Sequence, residues 1–137
     1  MQPVILIIDD SEDDVLLTKL ALSKTGRNFR TEVALSGEAG LALIRGGKTP
    51  PKLILLDLKM PRMDGIEVLR KIREDESLSS IPVVIVTHSD LVSDEQASDK
   101  AGADSFLRKA TDLDQFKKDI ERILDRWLGT NTPHLRN

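Results

Sequence analysis

The chain lacks cysteine, is poor in aromatic residues at 3%, and has no long hydrophobic run. Without cysteine, neither a disulfide framework nor a thiolate metal site is possible, and we expect a cytoplasmic protein. No apolar segment approaches the roughly 20 residues that span a bilayer, and the N-terminus lacks a signal-type pattern. We therefore expect a soluble, unprocessed chain with no contact to a membrane.

Charge and length narrow the class of protein further. Twenty Lys plus Arg oppose 23 Asp plus Glu, for a net charge of -3, and no basic block is interleaved with aromatics. Direct nucleic-acid binding is therefore not expected. A chain of 137 residues with 39% hydrophobic residues suits one core. We expect one domain over residues 1–128 and a flexible tail over residues 129–137, where turn formers replace the core pattern.

Short apolar runs predict the strands of the fold. Residues 4–8, 53–56 and 83–86 are unbroken aliphatic runs, which is the pattern of parallel strands covered on both faces. Residues 29–35 alternate apolar with polar, and residues 103–107 are short and mixed. The first three runs are therefore predicted as central strands and the other two as edge strands.

Apolar residues between these strands recur at helical spacing, which predicts a helix in each segment. Ser11 is predicted to cap the first helix, with Asp14 three residues later as in a capping box, and Gly26 to stop it. The fourth helix has few apolar residues, so we expect it to be loosely packed. The predicted helices lie between residues 11 and 26, 36 and 46, 65 and 74, 90 and 101, and 113 and 128.

The alternation of five strands with five helices predicts the fold class. It indicates an α/β protein with a doubly wound (βα)5 parallel sheet, because right-handed crossovers place helices on both faces. With the second and fifth strands at the edges, the order 2-1-3-4-5 fits best, and ligands of such sheets bind beyond the carboxyl ends of the strands.

Polar residues follow the strands at that carboxyl end. Asp9 and Asp10 follow the first strand, Asp57 the third, Thr87 the fourth, and Lys109 the fifth. Taken singly, each has an ordinary interpretation as a cap, a turn acid, a hydroxyl or a solvated cation. Taken together, three carboxylates would repel one another, and one lysine does not balance them. The set therefore predicts a bound cation.

A hard divalent cation would resolve this repulsion. Mg²⁺ prefers oxygen ligands and is typically held by one or two carboxylates together with a phosphate oxygen. The predicted chemistry is phosphoryl acceptance, with Asp57 as the nucleophile that forms an aspartyl phosphate. Lys109 would offset the charge of the transferring group, and the Thr87 hydroxyl would donate a hydrogen bond to it.

Four segments carry a family resemblance in their order and spacing. They are IIDDSEDD, LILLDLKMPRMDG, VIVTHSD and ADSFLRKA. Over about residues 4–128 the sequence resembles the receiver domain of two-component response regulators, of the stand-alone type without an output domain. The resemblance implies the flavodoxin-like receiver fold and a phosphorylation-activated switch within a phosphorelay. It implies no enzymatic activity other than acceptance of the phosphoryl group by the protein itself and the slow loss of that group.

The resemblance also assigns roles around the metal. Asp10 and Asp57 would bind Mg²⁺ directly, with the Lys59 backbone carbonyl as a further ligand and Asp9 acting largely through water. Lys109 would contact the phosphoryl group on Asp57. The phosphoryl group would come from a phosphohistidine on a sensor histidine kinase or a phosphotransfer protein.

Signal output is a further implication of the family. Thr87 and an aromatic residue, here Phe106, would move inward together on phosphorylation. The family's signalling surface is formed by helix 4, strand 5 and helix 5. Without an output domain, the signal would pass by protein contact to a downstream target or through a homodimer at that surface.

Two positions, Ala110 and His88, depart from the usual family pattern. A third, Lys59, bears with His88 on the lifetime of the phosphoryl group. Ala110 replaces the usual proline after the lysine, so the preceding bond is either a costly non-proline cis bond, at about 2.5 to 4 kcal/mol, or trans in a differently shaped loop. His88 replaces a small residue after Thr87. Together with Lys59 it is predicted to narrow access to Asp57 and to slow phosphate loss; the alternative is that His88 points into solvent and has no role.

Three alternative functions compete with the phosphorylated switch. An Asp-nucleophile phosphatase would need a second acid two residues after Asp57, where Lys59 stands. A flavodoxin-like cofactor site would need a Ser/Thr/Gly-rich phosphate loop where this chain has DDSEDD. An unphosphorylated receiver-like scaffold is the main alternative, because Ala110 and His88 are both unusual.

Overall fold

A computed structural model describes residues 2–47, 49–109 and 112–129. Strands and helices alternate strictly along this part of the chain. The strands are β1 Val4–Ile8, β2 Arg30–Ala34, β3 Leu53–Leu56, β4 Val83–Thr87 and β5 Ser105–Arg108. The helices are α1 Glu12–Ser23, α2 Gly37–Gly46, α3 Gly65–Glu74, α4 Val92–Ala101 and α5 Leu113–Leu128.

The described strands form one parallel sheet in the order β2-β1-β3-β4-β5. The predicted fold class and strand order are therefore confirmed. Every residue of β1, β3 and β4 is buried, which explains why these strands are continuously aliphatic rather than alternating. All carboxyl ends of the strands lie at the same edge of the sheet, which we call the carboxyl rim.

Two hydrophobic cores lie on opposite faces of the sheet. One contains residues of α1 and α5, and Phe116 and Ile120 of α5 are fully buried in it. The other contains residues of α2 and α3, with Ala101 of α4 packed at its margin. The amphipathic faces of the helices thus cover both faces of the sheet, as a doubly wound fold requires.

Helix starts follow the predicted caps where side-chain oxygens are available. The hydroxyls of Ser11 and Ser36 accept hydrogen bonds from the backbone amides of Asp14 and Ala39, which satisfies free N–H groups at the helix starts.

The first residue of α3, Gly65, lies so close to the strand end that an added Cβ would come within 2.3 Å of the Asp57 carbonyl oxygen. A glycine is therefore needed beside Asp57.

Several predicted boundaries were wrong in detail. Helix α1 ends at Ser23 rather than near Gly26, α4 begins at Val92 rather than at residue 90, and β5 begins two residues late. On α1, Val15 is buried, whereas Leu16 and Leu20 are 66% and 45% exposed. Mixed composition gave no sharp signal at these ends.

Helix α4 is weakly anchored, as predicted. Of its residues only Ser98 is buried, and its hydroxyl donates a hydrogen bond to the Asp94 carbonyl. Two exposed apolar residues, Leu91 and Val92, lie at its start. A helix with so little buried apolar area should open more easily than its neighbours.

Two predictions concern residues outside the described part of the chain. Ala110 lies there, so the isomer of its preceding peptide bond stays open. Residues 130–137 also lie there, so the division into a domain over residues 1–128 and a tail over residues 129–137 stays a prediction. Among the described helices, none combines the length and apolar character needed to cross a membrane.

Candidate functional site

The carboxyl rim brings together the acids predicted from the sequence. Backbone hydrogen bonds extend the sheet into the site: the Asp9 amide donates to Ala34, and the Asp57 amide donates to Ile8. One carboxylate oxygen from each of Asp9, Asp10 and Asp57 lies within 4.8 Å of the others. Asp9 and Asp57 are buried, and Asp10 is exposed.

Lys109 supplies a buried positive charge to this cluster. Its backbone amide donates to the Thr87 carbonyl, which directs the side chain over the rim. The ammonium Nζ lies 2.7 Å from Asp9 Oδ2 and 3.8 Å from Asp57 Oδ1. Burial alone would lower the pKa of Lys109, but hydrogen bonds to the acids and the charge of Asp57 hold that pKa above its usual value.

Asp57 lies at the centre of the rim in a partly desolvated position. Its Oδ1 accepts a hydrogen bond of 2.9 Å from the Leu58 amide. Burial raises the pKa of Asp57 to about 6, and the charge of Asp9 adds to this effect. Lys109, a hydrogen bond from Thr87 and the Leu58 amide act in the opposite direction. The carboxylate is therefore ionised at neutral pH, as the predicted nucleophile requires, and its neighbours offset its negative charge only in part.

Asp14 also belongs to this site, which the sequence reasoning missed. We predicted a capping-box role, but its carboxylate does not return to the Ser11 amide, which instead donates to Asp9 Oδ1 at 3.0 Å. Asp14 Oδ2 accepts a hydrogen bond of 3.0 Å from Lys109 Nζ. The run of acids in the first turn of α1, shortly after Asp9 and Asp10, was the signal available in the sequence.

His88 lies beside Asp14 at the edge of the site. Its Nε2 is 3.1 and 3.2 Å from the two Asp14 carboxylate oxygens, and its side chain is 63% exposed. Burial alone would raise the pKa of Asp14, but hydrogen bonds from Lys109 and His88 keep that pKa below its usual value. The ring thus links the loop after β4 to α1 rather than extending free into solvent.

Lys59 points its ammonium toward α4 rather than toward Asp57. Nζ lies 3.2 Å from Asp94 Oδ2, and this pair is largely open to solvent on the lysine side. The Ser89 hydroxyl also donates to the Asp94 carboxylate, and this hydrogen bond, with Lys59, lowers the pKa of Asp94. These contacts connect the loop after β3 with the start of α4.

The two predicted switch residues lie on neighbouring strands. Thr87 is buried at the end of β4, and its hydroxyl accepts a hydrogen bond of 3.3 Å from the Ser89 amide. Phe106 of β5 lies opposite Ile85 of β4. Its side chain is partly buried and packs against the core that contains residues of α2 and α3 and has Ala101 of α4 at its margin. The aromatic ring therefore lies on the same side of the sheet as the weakly anchored helix α4.

A cleft of about 620 Å³ opens over these groups and is lined by Asp10, Asp14, Asp57, Lys59, Thr87 and His88 among others. A second cleft, of about 650 Å³, lies at the opposite end of the sheet beside Arg30 and Trp127. Among the described residues that line it there is no carboxylate. The rim cleft is therefore the candidate functional site, because it combines a nucleophile, acids and a cation.

The acid cluster fits a divalent metal ion on its donor set. Three carboxylates contribute hard oxygen ligands within 4.8 Å of one another, and Lys109 alone does not neutralise them. Oxygen donors of this kind suit Mg²⁺ or Mn²⁺ rather than metals that favour sulfur or imidazole. The residues available to hold the ion are Asp9, Asp10 and Asp57.

The fold and the site together define a class of protein: a doubly wound α/β domain with an acid cluster, a strand-end aspartate and a buried lysine at its carboxyl rim. Sequence comparison identifies the family. The family profile described as the response regulator receiver domain matches residues 5–121, and the chain belongs to this family of two-component signalling proteins. Receiver domains of this family bind Mg²⁺ at an acidic cluster and act as signalling switches rather than as conventional enzymes.

Relatives of similar length support this assignment. The chain is 34% identical over 132 residues to the probable methanogenesis regulatory protein FilR2 of Methanothrix harundinacea, covering 93% of this chain and 85% of FilR2. It is 33% identical over 134 residues to the response regulator Rcp1 of Synechocystis, covering 94% of this chain and 91% of Rcp1.

Solved structures of response regulators share the fold. The phosphorylated cyanobacterial phytochrome response regulator RcpA superposes with a TM-score of 0.86 at 29% identity, covering 96% of this chain and 98% of RcpA. The Mn²⁺-bound form of Rcp1 gives a TM-score of 0.82 at 33% identity, covering 95% of this chain and 97% of Rcp1.

Proposed function

We propose that this protein is a phosphorylation-activated switch in which Asp57 accepts a phosphoryl group. The observation that carries the proposal is the position of Asp57 at the end of a central strand, buried beside Asp9 and 3.8 Å from the Lys109 ammonium. A bound Mg²⁺ ion would supply positive charge that stabilises the phosphoryl oxygens during transfer. Asp9, Asp10 and Asp57, with the Lys59 carbonyl, are the proposed ligands.

The transfer requires a nucleophile and a leaving group but no general base on Asp57. One Asp57 carboxylate oxygen forms a bond to phosphorus while the bond from phosphorus to the donor breaks, and the donor keeps the electron pair. With acetyl phosphate the leaving group is acetate; with a phosphohistidine it is the imidazole, which takes up a proton. Lys109 and the Thr87 hydroxyl would stabilise the charge on the phosphoryl oxygens.

The physiological donor is proposed to be a sensor histidine kinase or a phosphotransfer protein in the cytoplasm. Output is proposed to pass through the face of α4, β5 and α5, either to a downstream protein or to a second copy of the chain. Support comes from the weak anchoring of α4 and from Phe106 of β5, which is partly buried on the α4 side of the sheet. A conformational change needs such an element with two accessible arrangements.

Access to the site bears on how long the signal lasts. The aspartyl phosphate is lost when water attacks in line, and His88 and Lys59 both line the cleft through which water must enter. We propose that they slow phosphate loss and restrict small donors. Their contacts to Asp14 and Asp94 hold both side chains at the edges of the cleft.

Intact mass spectrometry separates the switch from an unphosphorylated scaffold. The wild-type protein is incubated with acetyl phosphate in Mg²⁺ and, separately, in excess chelator. The switch should gain the mass of one phosphoryl group only with Mg²⁺, and Asp57→Asn should gain none, whereas the exposed-acid control Asp13→Asn should behave like wild type. A wild-type protein that gains no mass from either acetyl phosphate or a phosphorylated kinase would favour the scaffold.

A further inference from the structure

The Lys109 ammonium is held by two carboxylates, and neither belongs to Asp57. An ammonium has three N–H donors, and two of them are directed to Asp9 at 2.7 Å and Asp14 at 3.0 Å. The 3.8 Å separation from Asp57 exceeds a hydrogen-bond distance. Lys109 therefore forms an ion pair with the phosphoacceptor but donates no hydrogen bond to it.

The Asp14 carboxylate has no part in forming its own helix. The backbone amide of Asp14 completes the cap with Ser11, while the side chain turns toward the rim. There it is fixed from two sides, by Lys109 and by the His88 ring on the loop after β4. It lies outside the cluster of Asp9, Asp10 and Asp57 that fits a metal. Asp14 is thus an additional acid whose side-chain contacts all point to the site.

We propose, on the basis of the function proposed above, that Asp14 is a positioning residue that holds Lys109 away from Asp57 in the unphosphorylated protein. Two of the three N–H donors of Lys109 are already engaged, so movement of Nζ toward a phosphoryl group on Asp57 must lengthen or break a bond to one of the carboxylates that hold it. Asp9 is buried within the acid cluster, so the bond to the more exposed Asp14 is the one to be exchanged. The strength of that bond contributes to the barrier for phosphoryl uptake and accounts for selectivity against weak donors.

The rate of phosphoryl uptake tests this role. Uptake from acetyl phosphate in saturating Mg²⁺ is followed by intact mass for wild type, Asp14→Asn and Asp13→Asn. Asparagine keeps the shape of the side chain but loses the charge that binds Lys109. Asp13 is the adjacent, exposed acid, so its variant measures the general effect of removing one negative charge near the site. Loss of a charge-assisted bond to Lys109 should make Asp14→Asn about threefold to tenfold faster than Asp13→Asn. Equal rates, or a slower Asp14→Asn, would overturn the proposal.

A second measurement reads the position of Lys109 without any phosphoryl donor. The side-chain methylene resonance next to the Lys109 ammonium is assigned with Lys109→Arg and compared in the three proteins without metal. It should shift in Asp14→Asn and stay unchanged in Asp13→Asn; an unchanged resonance in both would show that Asp14 does not hold Lys109. If wild type takes up no phosphoryl group from either acetyl phosphate or a phosphorylated kinase, the proposed function fails, while this resonance still decides whether Asp14 positions the lysine.

Discussion

Lys109 Nζ lies 2.7 Å from Asp9 Oδ2, and both side chains are almost completely buried. A buried ion pair is costly to desolvate, and removing one partner leaves an uncompensated charge. The pair therefore makes the stability of the domain depend on the same lysine that is proposed to contact the phosphoryl group. Structure and signalling share this residue.

Replacement of Lys109 tests this dependence. Lys109→Met should lower the free energy of unfolding by about 3 to 5 kcal/mol in metal-free buffer, because Asp9 would remain buried without its partner. Urea denaturation followed by circular dichroism measures the change. Lys59→Met removes an exposed lysine paired with Asp94 and should change stability by about 1 kcal/mol or less. A Lys109→Met protein as stable as this control would contradict the buried-pair account.

The raised pKa of Asp57 predicts how stability depends on pH. Because its pKa of about 6 exceeds the ordinary value of 3.8, the folded state binds more protons between these values. The free energy of unfolding of wild type should therefore fall, relative to that of Asp57→Asn, as pH rises from about 4 to 6. The full difference corresponds to at most about 3 kcal/mol, and solvent in the open cleft will reduce it.

Chemical denaturation in excess chelator at several pH values measures this effect. Asp57→Asn should be more stable than wild type at pH 7, and the two proteins should converge toward pH 4. Asp13→Asn serves as the control for loss of one acid. A stability difference between wild type and Asp57→Asn that does not change over this range would show that the Asp57 charge is not desolvated in the folded protein.

The central part of the fold could be predicted from the sequence because its signals are strong. The continuous aliphatic runs of β1, β3 and β4 are typical of strands in a sheet covered on both faces. Because Asp9, Asp57 and Thr87 stand at the ends of these runs, the runs also predict their positions. Residues 103–107 carried a weaker signal, so β5 was placed two residues early. The residues of the edge strand β5 are only half-buried or exposed, so burial constrains their sequence less.

The contacts made by long polar side chains could not be predicted from the sequence. Asp14 fitted a local capping pattern, and only the folded chain shows that its carboxylate reaches Lys109, 95 residues away. Lys59 was predicted to narrow access to Asp57, and nothing in its local sequence indicated that its ammonium would pair with Asp94. Local rules describe neighbours along the helix, whereas these partners are brought together by the topology of the sheet.

Metal binding should depend on Asp10 without a large effect on folding. Asp10 is exposed, and its removal relieves repulsion within the acid cluster. Asp10→Ala should keep its melting temperature in chelator, or raise it, but should weaken Mg²⁺ binding by about tenfold or more, as expected for a direct ligand. The Mg²⁺-dependent rise in melting temperature measures affinity, with Asp13→Ala as the control. An unchanged Mg²⁺ response in Asp10→Ala would exclude Asp10 as a ligand.

The response to phosphorylation should be localised. Hydrogen exchange with and without beryllofluoride, a phosphoryl mimic, should change more in α4 and β5 than in α1, because α4 buries only Ser98 and because Phe106 of β5 is only partly buried on the α4 side of the sheet. Asp57→Asn should show no change with beryllofluoride. Equal changes in α1 and α4 would contradict the proposed output face.

The most direct test of the central claim is to locate the phosphoryl group. The protein is phosphorylated with acetyl phosphate and Mg²⁺, reduced with borohydride, which converts an aspartyl phosphate to homoserine, and mapped by peptide mass spectrometry. The proposed switch predicts homoserine at position 57 and intact aspartates at positions 9, 10 and 14. Homoserine at any of those three positions, with Asp57 unmodified, would contradict the assignment of Asp57 as the phosphoacceptor.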